Sequence, residues 1–378
     1  MEIGSYTRTL PIEAQLIIHK DIEKWLSGTA ESYGLNFKKL PLSSKNEIRI
    51  NANVTVPDNT AGRAITVRET LIRILPTIDP IFNDPRLAGE GYPFDNLQMS
   101  AIRAGTPLYI LTSSQDKAWK FIFSPTVMGW VKSDDVANVD DTFVSSWVAS
   151  AQQQLGAFIK EPVSVTYGNR FYFTARPGTI LPMRKESGSV LVAIPVKQTD
   201  GSAQIKWLPS QKEDVVTMPL IMTPNHIANL INSMQGKPYG WGNFNFHNDC
   251  SAELRSLMMP FGLFLPRNSA AQAKFGKMVD LSHQDVNSRI SYLAEHGKPF
   301  TTLIHVDGHI MLYIGNTSLN GKVVPMTYQN IWGLRTQKVE GRSIIGSSVF
   351  FPLLATYPEN TDLLSPAAKP LFSLSFIE

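Results

Sequence analysis

From Thr223 to Gly333 the spacing of apolar residues switches from helical to strand-like, and this switch constrains the fold more than any other feature of the chain. Thr223 suits a helix cap and Pro224 its first turn. Ile227, Leu230, Ile231 and Met234 then recur on one helical face, and Gly236 can end that helix. A second helix is expected from Cys250, because Leu254, Leu257 and Met258 form an apolar stripe that stops before Pro260. Downstream, TLIHVDGHIMLYIG reads as two strands around Asp307-Gly308, and VVPMTYQNIWG as another strand ending in a turn. A helix beginning at a cysteine, followed by strands that carry a histidine and an amide, defines a compact α+β domain.

The preceding chain has a different grain. Ile17, Ile18, Ile22, Trp25 and Leu26 suggest a helical arm near the start, read simply as a packing element. Strand character begins near Ala64 in AITVRETLIRILPT, rich in β-branched residues and closed by Pro76. After the long loop FNDPRLAGEGYPFDNLQ, short strands are expected at Pro107 to Leu111, Trp119 to Phe123 and Gly129 to Val131. Short strands at this spacing read as a small β-barrel. A linker helix is expected near Phe143 to Leu155, and a second set of short strands follows it. Gly178-Thr179-Ile180-Leu181-Pro182 loosely echoes Gly105-Thr106-Pro107-Leu108-Tyr109, which suggests two related barrels in tandem.

Composition narrows the function. With 378 residues, 43% of them hydrophobic, the chain has ample material for several cored domains. A net charge of +3 from 35 basic and 32 acidic residues, with no basic stripe, argues against a nucleic-acid partner. No apolar run approaches the ~20 residues of a membrane span. The start, MEIGSYTRTLPIEAQ, lacks the basic region and apolar stretch of a secretion signal. The expected location is therefore extracytoplasmic if a leader has been removed, and cytoplasmic if the sequence is complete. One cysteine rules out an internal disulfide.

Cys250 as a nucleophile needs a thiolate, which a helix N-terminus and a nearby imidazole favour. His309, after Gly308 and before an apolar strand, is placed to act as base. Gln329, between Tyr328 and Asn330, is placed to hold the far ring nitrogen. Each residue also has a plain reading: a small buried hydrophobe, a strand-end histidine on a carbonyl, and a solvent-facing glutamine. His305 and His247 raise a metal site as a rival, although the sequence shows no clear pattern of acidic ligands. No metal or other cofactor is expected.

Asp249-Cys250-Ser251-Ala252, then Leu265-Pro266-Arg267-x-Ser269-x-x-Gln272, then Gly308-His309, resembles the signature of the NlpC/P60 papain-like cell-wall peptidases. The upstream segments RAITVRETLIRILPT and GEGYPFDNLQMSAIRAGTPLYI resemble the first bacterial SH3 domain of a multidomain subclass of that family. The resemblance implies a multidomain fold, with two small SH3-like β-barrels followed by a papain-like α+β domain. The implied boundaries are an N-terminal helical clip over 1–55, a first barrel over 56–140, and a linker helix with second barrel over 141–215. A catalytic domain over 216–345 follows, then a C-terminal extension over 346–378 that packs on the body.

The activity implied is that of a γ-D-glutamyl-L-diamino acid endopeptidase acting on peptidoglycan stem peptides or muropeptides with a free N-terminal L-Ala, as a monomer. On this resemblance Asp249 and Ser251 help bind the free amino end, and Arg267 and Ser269 shape the D-Glu side. Met128 takes the place of a substrate-touching tyrosine of some relatives. Gln329 stands where close relatives carry a third histidine before Asn-x-Trp-Gly. An amidase or transpeptidase on the same thiol is an alternative the sequence leaves open. A non-catalytic wall-binding protein is another, against which the intact pair of Cys250 and His309 argues.

Overall fold

The computed structural model describes residues 10–27, 31–58, 62–337 and 341–377. Helix α1 (Leu10–Ile22) buries Leu10, Ala14, Ile18 and Ile22, a stripe repeating every four residues. The stripe packs on Ile48 and Ala52 of α2 (Leu42–Ala52) and on Leu75, Phe121 and Trp130 of the first barrel. The arm thus shares the barrel's core. A fully buried isoleucine such as Ile18 is worth roughly 1.5–3 kcal/mol.

Seven antiparallel strands between Gly62 and Asn138 form the first barrel, and they include Pro107–Ser113, Trp119–Phe123 and Met128–Lys132. The long loop before Gln98 is pinned from inside. Arg73 and Asp95 pair in the core, and Asp95 Oδ1 accepts from Ile81 N and Leu97 N at 3.0 and 2.9 Å. Helix α3 (Asp141–Gln153) starts where Asp140 accepts from Phe143 N, a cap worth about 1 kcal/mol. Its Phe143 and Trp147 stack at 5.7 Å and lie in the core of the second barrel. That barrel is a five-stranded sheet running from Leu155–Phe158 to Val215–Thr217, with a separate hairpin, Val163–Tyr167 and Arg170–Ala175.

In the last domain α4 (Pro224–Met234) has the expected cap, Thr223 accepting from His226 N, and the expected buried face. Helix α5 (Cys250–Met258), the short α6 (Ser269–Gln272) and α7 (Val286–His296) complete the helices. They pack on a six-stranded sheet ordered Lys277–Asp280, Phe372–Phe376, Thr302–Val306, His309–Leu319, Lys322–Arg335 and Arg342–Pro352. The sheet corrects one expectation. Residues 346–378 are not an added extension, because Phe372–Phe376 pairs on both sides, with Lys277–Asp280 and with Thr302–Val306. Strand Arg342–Pro352 also runs through the expected boundary. Among the described residues no helix is long and apolar enough to cross a membrane.

Candidate active site

Asp249 sets the start of α5. Its Oδ1 accepts from Ala252 N at 2.9 Å, so Cys250 occupies the first helical position and the free N–H groups of that turn face the thiol's surroundings. The backbone N–H of Ile310 lies near the sulfur and favours its ionised form. Ile310 follows His309, so helix start and strand start meet at the thiol. His309 Nε2 donates to Gln329 Oε1 at 2.6 Å, and Gln329 Nε2 donates to Thr327 Oγ1 at 2.9 Å. Gln329 is fully buried, which removes the solvent-facing reading. With the Nε2 proton committed to Gln329, neutral His309 has Nδ1 bare and able to accept a proton.

Burial controls the protonation states. It pushes the Cys250 thiol up to about 12, with the neighbouring Asp249 charge adding to the rise, while the Ile310 N–H and Arg267 oppose it. Burial also pushes His309 down to about 4, against the bond to Gln329. Both shifts disfavour the charged forms, so burial opposes the resting thiolate that the helix start favours. A measurable consequence is that alkylation of Cys250 by iodoacetamide has its midpoint above 8.5, the value of a free thiol, because the buried thiol ionises later than an exposed one. A midpoint at or below 8 contradicts this ordering.

Arg267 organises the surrounding wall. Its fork binds Asp249 at 3.1 and 2.8 Å, and the same two nitrogens reach Ser251 Oγ and Asn243 Oδ1, each at 3.0 Å. Its Nε donates to Ser100 Oγ of the first barrel at 2.7 Å. All five N–H donors are then used. The Asp249 carboxylate accepts from Ser251, Ala252 N, Gly242 N and both arms of Arg267. That is not a carboxylate held ready for an incoming amine, and here the geometry departs from the role implied by the resemblance. Burial alone raises the Asp249 carboxyl, but Arg267 and the cap bonds hold it below the usual range. Ser269 opens α6 half-buried, and Gln272 ties that helix to α5 through Ser251 O at 2.8 Å. Met128 packs against the first barrel's core.

The first barrel reaches the cleft through other residues. Gln98 Nε2 donates to Gly242 O at 2.8 Å. Gly242 has φ +61, and a Cβ there meets Gln98 O at 2.5 Å, so only glycine permits this approach. Phe94 packs against Tyr239, Trp241 and Trp332 at centroid distances of 6.2, 5.7 and 5.8 Å. Tyr239 was missed in the sequence, although KPYGWGN marks an aromatic turn just before the nucleophile. It is buried, and burial with the charges of Cys250 and Asp249 close by raises its phenol, which keeps the O–H as a donor. His305 and His247 join no group of three metal-ligating side chains among the described residues. His305 pairs with Ile310 in the hairpin and so points to the face opposite His309. His247 is half-buried, and burial, Arg176 and Lys237 lower its pKa, a cationic setting that disfavours a metal ion.

Residues 80–132 match the bacterial SH3 domain of SH3b1 type, and residues 140–187 the SH3 domain of SH3b2 type. Among solved structures, the chain is similar to an NlpC/P60 endopeptidase from Photobacterium damselae subsp. piscicida. Identity is 29%, with 96% of this chain and 84% of that chain covered and a TM-score of 0.85. An NlpC/P60 family protein from Bacillus cereus shares the fold at 15% identity, covering 80% of this chain and 98% of that chain, with a TM-score of 0.53. No curated protein sequence matches the chain.

Proposed function

We propose that this protein, an NlpC/P60 chain with two bacterial SH3 domains, is a cysteine endopeptidase that cuts the γ-D-glutamyl–L-diamino acid bond of peptidoglycan stem peptides. The observations that carry this reading are a helix-capped thiol near the backbone N–H of Ile310 and, one residue before it, an imidazole whose Nε2 is fixed by a buried amide.

The chemistry follows from those positions. The sulfur attacks the γ-carbonyl carbon of D-Glu while His309 Nδ1 takes the thiol proton, so the ion pair forms only as the oxyanion develops. N–H groups at the start of α5, with the nearby Tyr239 hydroxyl as a further donor, stabilise that oxyanion. His309 returns the proton to the departing amine, the C–N bond breaks and a thioester forms. Water then attacks the thioester with His309 again as base, which releases the carboxylic acid and restores the thiol. Gln329 holds the productive tautomer through both steps.

The barrel wall gives the specificity. Phe94 and Tyr92 close one side of the cleft against Trp241 and Phe244, which supports short trimmed peptides over long glycan-linked strands. The test uses L-Ala-γ-D-Glu-diamino acid, free or still attached to muramic acid, with products identified by mass spectrometry. The expected product is L-Ala-γ-D-Glu, with a kcat/KM at least about tenfold larger for the free peptide, a difference near 1.4 kcal/mol. Equal constants remove the wall's role. Release of L-Ala or of intact peptide from the sugar instead identifies a different bond.

A further inference from the structure

Behind the catalytic helix lies a second cavity. The two barrels, α3 and the rear of α5 border a half-open cavity of about 820 Å³, within the range of small-molecule sites. Cys250, His309 and Gln329 do not line it. Its walls are mostly apolar, with Trp147, Val148, Ile180, Met259 and Phe264 among them. From α5 it receives Ala252, Arg255 and Ser256, a face separate from the stripe that packs on the sheet.

Three arginines reach this cavity, and two are neutralised. Arg267 is paired with Asp249, and Arg103 with Glu69. Arg255 donates through Nε to Leu265 O at 2.9 Å, and among the described residues no carboxylate lies within ion-pair distance of it. Burial and the Arg267 charge push its guanidinium down to about 10, so it is still a cation at neutral pH. Arg255 is partly buried at a half-open apolar cavity, and an anion that brings its own apolar surface can pair with its terminal nitrogens there while burying apolar area.

We propose that this junction cavity binds a small carboxylate with an apolar body, its carboxylate held by the Arg255 guanidinium and its body against Trp147, Ile180 and Met259. The planar guanidinium matches a carboxylate geometrically, and its terminal nitrogens are the ones without a protein partner among the described residues. The ligand touches both barrels and the rear of α5 together, so it stabilises their docking. Nothing in this site depends on peptide cleavage.

The test is calorimetric titration of the full chain with sub-micellar decanoate, with decanol as the uncharged match and naphthalene-2-carboxylate as the rigid aromatic acid. The expected result is saturable binding of at least one acid, about tenfold or more tighter than decanol. Tighter decanoate identifies an acyl chain as the source, and tighter naphthoate an aromatic acid. Arg255→Met should weaken the acid about tenfold and leave decanol unchanged, while Arg255→Lys, which keeps the charge but not the planar fork, should fall between Arg255→Met and wild type. Val148→Trp, on the exposed side of α3, should block acid and alcohol alike. Circular dichroism checks folding, and the lysine and tryptophan variants carry the test if the methionine variant unfolds. Binding of neither acid, equal binding of decanoate and decanol, or indifference to Arg255→Met in a folded protein overturns the proposal.

Discussion

Cys250→Ala is expected to remove stem-peptide cleavage by at least about 10⁴-fold in kcat while the protein stays folded. The covalent route depends on the sulfur, and no other cysteine exists in the chain to replace it. The fold does not depend on it. The helix cap comes from the Asp249 side chain, and the pair of His309 and Gln329 is made without the thiol. Cys250 is buried among Leu254, Ile310 and Tyr328, so alanine leaves a void of one sulfur atom, costing about 1 kcal/mol. Cys250→Ser is the stricter comparison. It keeps an oxygen nucleophile of nearly the same size, but burial that already disfavours the thiolate disfavours the more basic alkoxide further. Serine should therefore also fall by several orders of magnitude. The measurement is release of L-Ala-γ-D-Glu under single-turnover conditions, alongside thermal unfolding. Substantial release by folded Cys250→Ala would falsify the thiol mechanism.

What the sequence disclosed was local. Thr223, Pro224 and the face of Ile227, Leu230, Ile231 and Met234 announce α4 within a dozen residues, and the structure places them as read. The contact between His309 and Gln329 spans twenty residues and joins the two strands of one hairpin, but a bulge between Tyr313 and Gly315 shifts the register between the turn and the contact, so the turn at Asn320-Gly321 does not disclose it alone. The long-range features were not legible. Phe372–Phe376 alternates like any half-buried strand, and nothing in those residues says that it inserts between Lys277–Asp280 and Thr302–Val306. Arg73 and Asp95 lie 22 positions apart in segments read as a strand and a loop, and only the folded barrel makes them a buried pair. The protonation state of Cys250 was also out of reach. A helix start favours the thiolate, but the depth of burial that outweighs it is set when the first barrel and the loop around Gly242 close over the site.

The same closing of barrel on catalytic domain makes Arg267→Met the most damaging change expected for stability, at about 3–5 kcal/mol. Arg267 joins four segments: the Asp249 cap, Ser251 of α5, the Asn243 turn and Ser100 of the barrel. Methionine fills much of the volume but leaves the Asp249 carboxylate buried without its counter-ion. Asp249→Asn makes the converse error. Its amide oxygen can still cap α5 at Ala252 N, but Arg267 is then buried as an uncompensated cation. Each single variant carries an unpaired charge, and the double variant carries none. The double variant should therefore be no less stable than either single one, with a coupling of at least about 2 kcal/mol. Urea unfolding of the four proteins gives the cycle. A simple packing role predicts additive losses, so additivity, or a loss under about 1 kcal/mol for Arg267→Met, removes the ion pair as the organiser of the cleft. The kinetic readout separates the two roles further. The unpaired Asp249 charge beside Cys250 raises the thiol further, so alkylation of folded Arg267→Met should move to higher pH than wild type, whereas Asp249→Asn should move it lower.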